Sequence, residues 1–415
     1  MARKKLITIN FIAFSLFLLL LSSLLTEAST SEKPVEILKL GATVNLGDRL
    51  GIQMKRCFEL LAEQLNESGG LAVQGKKYNV KVIVYDDKYQ ADAGRAAFER
   101  LVFQDNVKVT FSYGSAPTLA GVELTEPNKV LLLHAAISSQ LLHPKYNYTF
   151  HTRAGTTGVF STGVFIKKHL NPQLKTVVVL ANDDLTGYDM AKHFGAMWRN
   201  CNIKVVDTLY YKRGTVDLNP LGVKVRSLNP DIVHFDGMMP GAETLRVFKA
   251  IYQSGWRGQI FAELALTTVP DIVNACGKES VEGMFVQFLD PTVVPNPPPL
   301  AMPFRRAYTA KYGIWETDAL RWFDGWYYFV SAVKKANSLD VNDIVRVIQG
   351  LSVETVLGES KMCRRPDLGN NKYVDISTTL HMGQVRNGEG VYLDRVLPIE
   401  GIRMAKIIYG GGEWE

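Results

Sequence analysis

Two acidic pairs, Asp86-Asp87 and Asp183-Asp184, stand directly after apolar runs that read as β-strands. Neighbouring carboxylates at a strand end can share general acid and general base work. The same residues more often end strands and cap the helices that follow, and that reading is taken for both pairs. The seven histidines are scattered. His134 and His143 have no partner four residues away and no cysteine beside them, so they make no zinc ligand set. Cys57, Cys201, Cys276 and Cys363 follow no metal-binding spacing, and nothing in the sequence selects a disulfide pairing among them. The segment GATVNLGDRLG, which follows the first strand signal, lacks the dinucleotide fingerprint, and no phosphate-binding Gly-x-x-x-x-Gly-Lys-Ser/Thr occurs. The turn YGSAP lacks the second glycine of a nucleophile elbow. No catalytic residue, metal site or cofactor is therefore expected.

What the chain offers instead is loops suited to holding. Gly114-Ser115-Ala116-Pro117-Thr118 follows a strand-like run (Val107, Val109, Phe111) and leads into a helical segment. Ala135-Ala136-Ile137-Ser138-Ser139 follows the next strand signal and has the same character. Small side chains let a ligand approach the backbone, while hydroxyls and the free N–H groups of a helix N-terminus can receive a carboxylate. One such loop is an ordinary helix cap. Two adjacent ones point to a ligand.

The elements that must position these loops alternate. Strand signals fall at Ile37–Val44, Val80–Tyr85, Val107–Phe111 and Val130–Leu133. Between them, Met54, Cys57, Phe58, Leu61 and Leu65 recur at helical spacing, and Phe98, Leu101 and Val102 mark a second helix. The alternation restarts at Thr176–Leu180 and continues through Ile203–Tyr210, Ile232–Phe235, Ile260 and Met284–Phe288. Strands alternating with helices predict an α/β fold, here two doubly wound parallel-sheet lobes. The run Pro291–Pro299 is too rich in proline for regular structure, and an aromatic helix is expected over Trp322–Phe329. From Val374 the sequence reads as β-rich, with turns at Asn387-Gly388 and Gly410–Gly412.

The first residues read as a cleaved export signal, with an uncleaved membrane anchor over Leu6–Leu25 as the alternative. Arg3, Lys4 and Lys5 precede the apolar run Phe11–Leu21, and Thr26-Glu27-Ala28 supplies small residues at the cleavage spacing. Cleavage near Ala28 would remove three basic residues and one acidic one and leave a formal balance of +4. That balance, spread over the remaining chain, describes a mixed solvated surface and not a nucleic-acid footprint.

Taken in order, these stretches resemble the type I periplasmic solute-binding proteins of the leucine/isoleucine/valine class, which serve ABC importers. The resemblance is carried by LKLGATVNLGDRLG, LNESGGLAVQGKKYNVKVIVYDD, the two small-residue loops, FHTRAGTTG, DIVHFDGMMPGAETLRVF, ESVEGMFV and RWFDGWYYFVSAVKKA. It implies two lobes joined by three crossovers near Arg153, Leu289 and Val374. It also implies a division into a signal peptide (1–28), a first lobe (35–153 and 289–374) and a second lobe (154–288, with a C-terminal segment 375–415).

Carried over position by position, Ser115 and Ala116 match the first carboxylate-binding loop, and Ala135, Ala136 and Ile137 the second, with Ser138 the alternative hydroxyl. Thr186 and Tyr188 fall where the family has a Tyr-Gly loop, Met238 where it often has an aromatic, and Glu263 near the acid that takes a ligand ammonium. Asn45-Leu46-Gly47 replaces the usual Pro-Leu-Ser/Thr-Gly, and Leu50 also replaces an aromatic. The expected function is capture of a small, partly apolar carboxylate, an amino acid or an aromatic or aliphatic acid, by a periplasmic monomer that presents it to a permease. A sensor ectodomain of the same fold and an exported α/β enzyme are the alternatives.

Overall fold

The computed structural model describes residues 35–153, 155–235, 242–265, 269–410 and 414, without the side chains of 156 and 263–265. The expected signal peptide and cleavage point lie outside the described residues. Along the first part of the chain run β1 (Glu36–Val44), α1 (Arg49–Glu67), β2 (Leu71–Val73), β3 (Lys76–Asp86), α2 (Ala91–Glu99), β4 (Val109–Ser112), α3 (Ser115–Thr125), β5 (Leu131–His134) and β6 (Thr149–His151). Their strands form one sheet in the order β2-β3-β1-β4-β5-β6, parallel from β1 to β6, with β2 and β3 as an antiparallel hairpin at the edge.

The chain then builds a second sheet. It contains α4 (Thr156–His169), β7 (Thr176–Asn182), α5 (Leu185–Asn200), β8 (Lys204–Tyr211), α6 (Asn219–Leu228), β9 (Ile232–Phe235), α7 (Ala242–Gln253), β10 (Gln259–Ala265), α8 (Val269–Cys276) and β11 (Phe285–Gln287). After the proline-rich turn come α9 (Ala301–Tyr312), α10 (Gly325–Ala336), α11 (Val341–Ile348) and a three-stranded antiparallel sheet of β12 (Ser352–Thr355), β13 (Gly358–Arg365) and β14 (Asn370–Thr378). One residue later the chain enters β15 (Leu380–Arg386) and β16 (Glu389–Val396), then ends in α12 (Pro398–Tyr409). The second sheet has the order β16-β15-β11-β10-β9-β7-β8, with β15 antiparallel to both of its neighbours, β11 and β16. The chain thus changes sheets after His151, after Gln287 and at Thr379, the last a few residues beyond Val374.

Burial explains why these segments adopt these elements. In α1, Met54, Cys57, Phe58 and Leu61 form the buried stripe, and the Phe58 ring stacks on Phe111 of β4 with centroids 4.8 Å apart. β9 is buried throughout and β7 at every position after Thr176, as their near-continuous Val, Leu and Ile runs require of central parallel strands. The same capped turn opens a helix in both sheets: Asp48 accepts a hydrogen bond from the Gly51 N–H at 2.7 Å, and Asp184 from that of Gly187 at 2.9 Å. A Cβ at Gly51 would lie 1.9 Å from the Asn45 carbonyl oxygen, and one at Gly187 equally close to that of Asn182, so only glycine fits either turn.

Three features differ from the sequence reading. The C-terminal segment adds α12, whose periodicity is short and interrupted by Gly401, to the expected β-hairpin at Asn387-Gly388. Trp322 and Phe323 precede α10 instead of opening it. The β12–β14 sheet was not anticipated, because its strands carry Lys361, Arg364, Arg365 and Lys372 among few apolar residues. All four cysteines are free, with Cys57 and Cys363 buried. Among the described residues no helix is long and apolar enough to cross a membrane, and no cluster of three His, Cys, Asp or Glu could hold a metal ion.

Candidate functional site

Strand register sets the site before any side chain is considered. Thr43 pairs with Ser112, Ser112 with His134 and His134 with His151, so β1, β4, β5 and β6 finish in one row. The loops after them, 45–48, 113–114, 135–138 and 152–153, therefore line one edge. In the second sheet Asn182 pairs with Tyr211, and Ala265 with Gln287, which aligns the exits of β7, β8, β10 and β11 in the same way. In an open parallel sheet the crevice for a ligand lies where strand order reverses, between β1 and β4 in the first sheet and between β7 and β9 in the second.

At the first reversal a chain of buried hydroxyls closes the sheet end: Thr43 donates to Ser112 Oγ at 2.8 Å, and Ser112 and Thr118 share a hydrogen bond of 2.6 Å. Ser115, 1% exposed, begins α3 beside it. Its hydroxyl accepts from Thr186 Oγ1 at 2.7 Å and from the Ser138 N–H at 3.3 Å. The structure thus brings together Ser115, Ser138 and Thr186, read from three separate stretches. Ala135, Ala136 and Ile137 are buried in the loop before Ser138, and Ala116 is half-buried behind Ser115.

Tyr188 is not gathered with them. It is 47% exposed, its hydroxyl donates to Asp183, and its ring meets Tyr210 edge-on at 5.2 Å. Met238 lies outside the described residues, and so does the side chain of Glu263.

Further residues tie the two edges together. Ser139 donates from its N–H and its hydroxyl to the Asp189 carboxylate, at 2.8 and 3.1 Å. The Tyr89 hydroxyl lies 3.3 Å from Thr186 Oγ1, and the Arg213 guanidinium sits 4.9 Å from the centre of the Tyr89 ring. Burial works against the Arg213 charge, but Tyr89 and Asp184 hold its pKa above the ordinary value. Both acidic pairs do the structural work expected of them. Asp184 caps α5, and Asp87 accepts from the Tyr89 N–H at 2.8 Å. Desolvation, with Asp86 and Asp48 adding to it, pushes Asp87 up to about 7.

Behind Ile137 the edges enclose a cavity at the three passages between sheets. The first-sheet side contributes Ile137, Arg153, Arg321 and Asp324; the second contributes Met190, Gln287, Phe288 and Leu380. The Arg153 guanidinium lies 4.2 Å from the centre of the Trp322 ring, a cation–π contact that fixes it in the wall. Tyr113 meets the same indole edge-on at 5.7 Å, and Arg321 donates to Gln287 Oε1 at 2.5 Å. Asp324 is 1% exposed, and burial pushes its carboxyl up to about 8. Its Oδ1 has no hydrogen-bond partner.

Of these, the sequence reading placed Arg153 only at a crossover, Trp322 only in a helix core, and missed Tyr89, Asp189, Arg213, Arg321 and Asp324 as site residues. The available signal was Arg-Trp-Phe-Asp-Gly, two charges embedded in an aromatic run at the edge of a buried helix.

This geometry of two parallel sheet edges facing each other across a cleft is met in known proteins. The family profile described as "Periplasmic binding protein" matches residues 46–376, most of the chain. The chain belongs to the periplasmic binding protein family. Solved members share its fold at low sequence identity. A solute-binding protein of an ABC transporter from R. palustris, in complex with benzoate, superposes with a TM-score of 0.69 at 16% identity over 87% of this chain and 97% of that one. A leucine binding protein from Thermotoga maritima gives 0.71 at 19% identity over 88% of this chain and all of that one. A solute binding protein of an ABC transporter from Rhodopseudomonas palustris BisB5, in complex with 3,4-dihydroxy benzoic acid, gives 0.70 at 18% identity over 87% and 98%. As a periplasmic binding protein the chain has the type I fold of these neighbours, which are solute-binding proteins and not enzymes.

Proposed function

We propose that this periplasmic binding protein is the extracytoplasmic solute-binding component of an ABC importer. It captures a small, partly apolar carboxylate between two lobes and presents it to a permease, without catalysis, as a monomer released by cleavage near Ala28. The observation that carries the ligand class is the cavity behind Ile137, which joins two guanidinium groups, Arg153 and Arg321, to an apolar lining of Ile137, Met190, Phe288 and Leu380. A planar guanidinium suits a carboxylate, and the apolar wall suits a hydrocarbon body.

In this reading the Ser115 hydroxyl and the Ala116 N–H at the start of α3 give the carboxylate a second set of donors. Glu263 would take an ammonium if the ligand carries one. The benzoate, dihydroxybenzoate and leucine named for proteins of the same fold support both an aromatic acid and an amino acid.

A thermal-shift screen of the mature protein tests the class. Amino acids, aromatic acids and aliphatic acids are compared with the matching neutral amides. At least one carboxylate should raise the melting temperature while its amide leaves it unchanged. Stabilisation by amides alone would reject the carboxylate assignment.

A further inference from the structure

Two side chains that line the cavity, Asp324 and Thr378, each carry a buried oxygen with no hydrogen-bond partner. Asp324 stands just before α10, its side chain all but sealed from solvent, and Oδ1 meets no donor. A buried carboxyl oxygen without a partner gives up its hydration with nothing in return. Of the other buried aspartates, Asp87 Oδ2 is likewise without a partner, whereas Asp375 and Asp318 are satisfied. Asp375 bonds to His151 Nδ1 at 2.8 Å, to Arg365 at 3.4 Å and to its neighbour's N–H at 2.9 Å, and Asp318 bonds to Arg49 and Gln53 at 2.8 and 2.9 Å. Asp324 also makes no ion pair with either guanidinium of the cavity, although all three groups line it. A carboxylate drawn to the arginines would therefore leave Asp324 facing another part of the ligand.

Given the cleft reading above, we propose that Asp324 is a specificity-determining residue that accepts a hydrogen bond from the ligand, and that the ligand is an apolar carboxylate bearing a hydroxyl or amino donor at the end remote from its carboxylate. The apolar lining of the same cavity would face the hydrocarbon body, and the orphaned oxygen gains the partner that the protein does not supply. A donor-free acid of the same size leaves Asp324 unpaired and binds less tightly.

Calorimetry on the mature protein with benzoate, 4-hydroxybenzoate and 4-(aminomethyl)benzoate reads this directly. Wild type should prefer 4-(aminomethyl)benzoate over benzoate by about tenfold or more, since the ammonium draws Asp324 into its charged form, and 4-hydroxybenzoate by about fivefold, the worth of a hydrogen bond to a neutral carboxyl. In Asp324→Ala the preference should collapse, with a cooperative unfolding transition showing that the variant is folded. Asp324→Asn keeps the size and an acceptor oxygen but not the charge. It should lose the aminomethyl preference more than the hydroxyl one, and it carries the test if the alanine variant does not fold. Equal wild-type affinity for all three acids would overturn the assignment. So would a preference that survives Asp324→Ala or that disappears in Glu263→Gln instead. If no carboxylate of any kind binds wild type, the cleft reading itself falls, and the role of Asp324 with it.

Discussion

Ser115 shows how one side chain can serve both the fold and the ligand. Its hydroxyl oxygen accepts from Thr186 and Ser138, and it stands at the first turn of α3, where N–H groups are available to an anion. Ser115→Ala should weaken binding of the cognate carboxylate about tenfold or more, since a hydrogen bond to a charged group contributes roughly 1.5–3 kcal/mol. The loss of stability should stay near 1 kcal/mol, the usual worth of a neutral hydrogen bond. Calorimetry paired with denaturant unfolding separates the two, and unchanged affinity would reduce Ser115 to a structural contact. Asp87 provides a prediction in pH. Its folded pKa, about 7, lies above that of an unfolded aspartate. Across the window between the two values the folded state holds a proton that the unfolded state has released, so this group's contribution makes stability fall as pH rises from about 4 to about 7. Asp87→Asn removes the linkage while an amide oxygen can still accept from Tyr89. Relative to wild type the variant should gain stability at pH 8 over pH 4.5. A pH-independent difference in unfolding free energy would argue against the buried, proton-holding carboxyl.

At the scale of elements, most of what positions the site was legible because it is written in period and turn chemistry. The apolar runs of β7 and β9, the stripe of α1 and the two Asp-x-x-Gly caps need no tertiary information to be read. The loops holding Ser115 and Ser138 were legible for the same reason, as small residues between a strand and a helix. The cavity was not legible, because Arg153 lies far in sequence from the Arg321–Asp324 stretch and their meeting depends on where the chain changes sheets. Nor was α12, whose stability comes from a partner helix and not from its own pattern. It packs against α4 through small residues: a Cβ at Gly401 would lie 2.3 Å from Ser161 Oγ and 2.9 Å from the Thr157 carbonyl oxygen. Gly401→Ala should therefore force the two helices apart and cost about 1–3 kcal/mol, as overpacking does elsewhere. A lowered denaturant midpoint is the expected result, and a wild-type midpoint would show that the helices separate freely.

For the whole molecule, the contacts between the two sheet edges define a closed arrangement. Ser115 and Thr186, Ser139 and Asp189, and Tyr89 with Thr186 and Arg213 all join the first edge to the second. These contacts are few, polar and at the mouth of the cleft, whereas the three passages between sheets are single segments of chain. Such a construction can hinge, with the crossover residues absorbing the backbone change. A ligand that touches both edges binds the closed arrangement better than the open one, and by that difference alone it shifts the balance toward closure. Small-angle scattering of the mature protein should show a smaller radius of gyration with saturating ligand than without. Asp189→Ala removes both acceptors of Ser139 without touching the cavity. It should leave association largely unchanged and speed dissociation about threefold to tenfold, the effect of losing one or two hydrogen bonds of roughly 1 kcal/mol from the closed state alone. At subsaturating ligand the variant should also compact less than wild type. An unchanged dissociation rate would mean that these rim contacts do not hold the lobes together, and an unchanged radius in wild type with a tight ligand would mean that the lobes do not hinge at all.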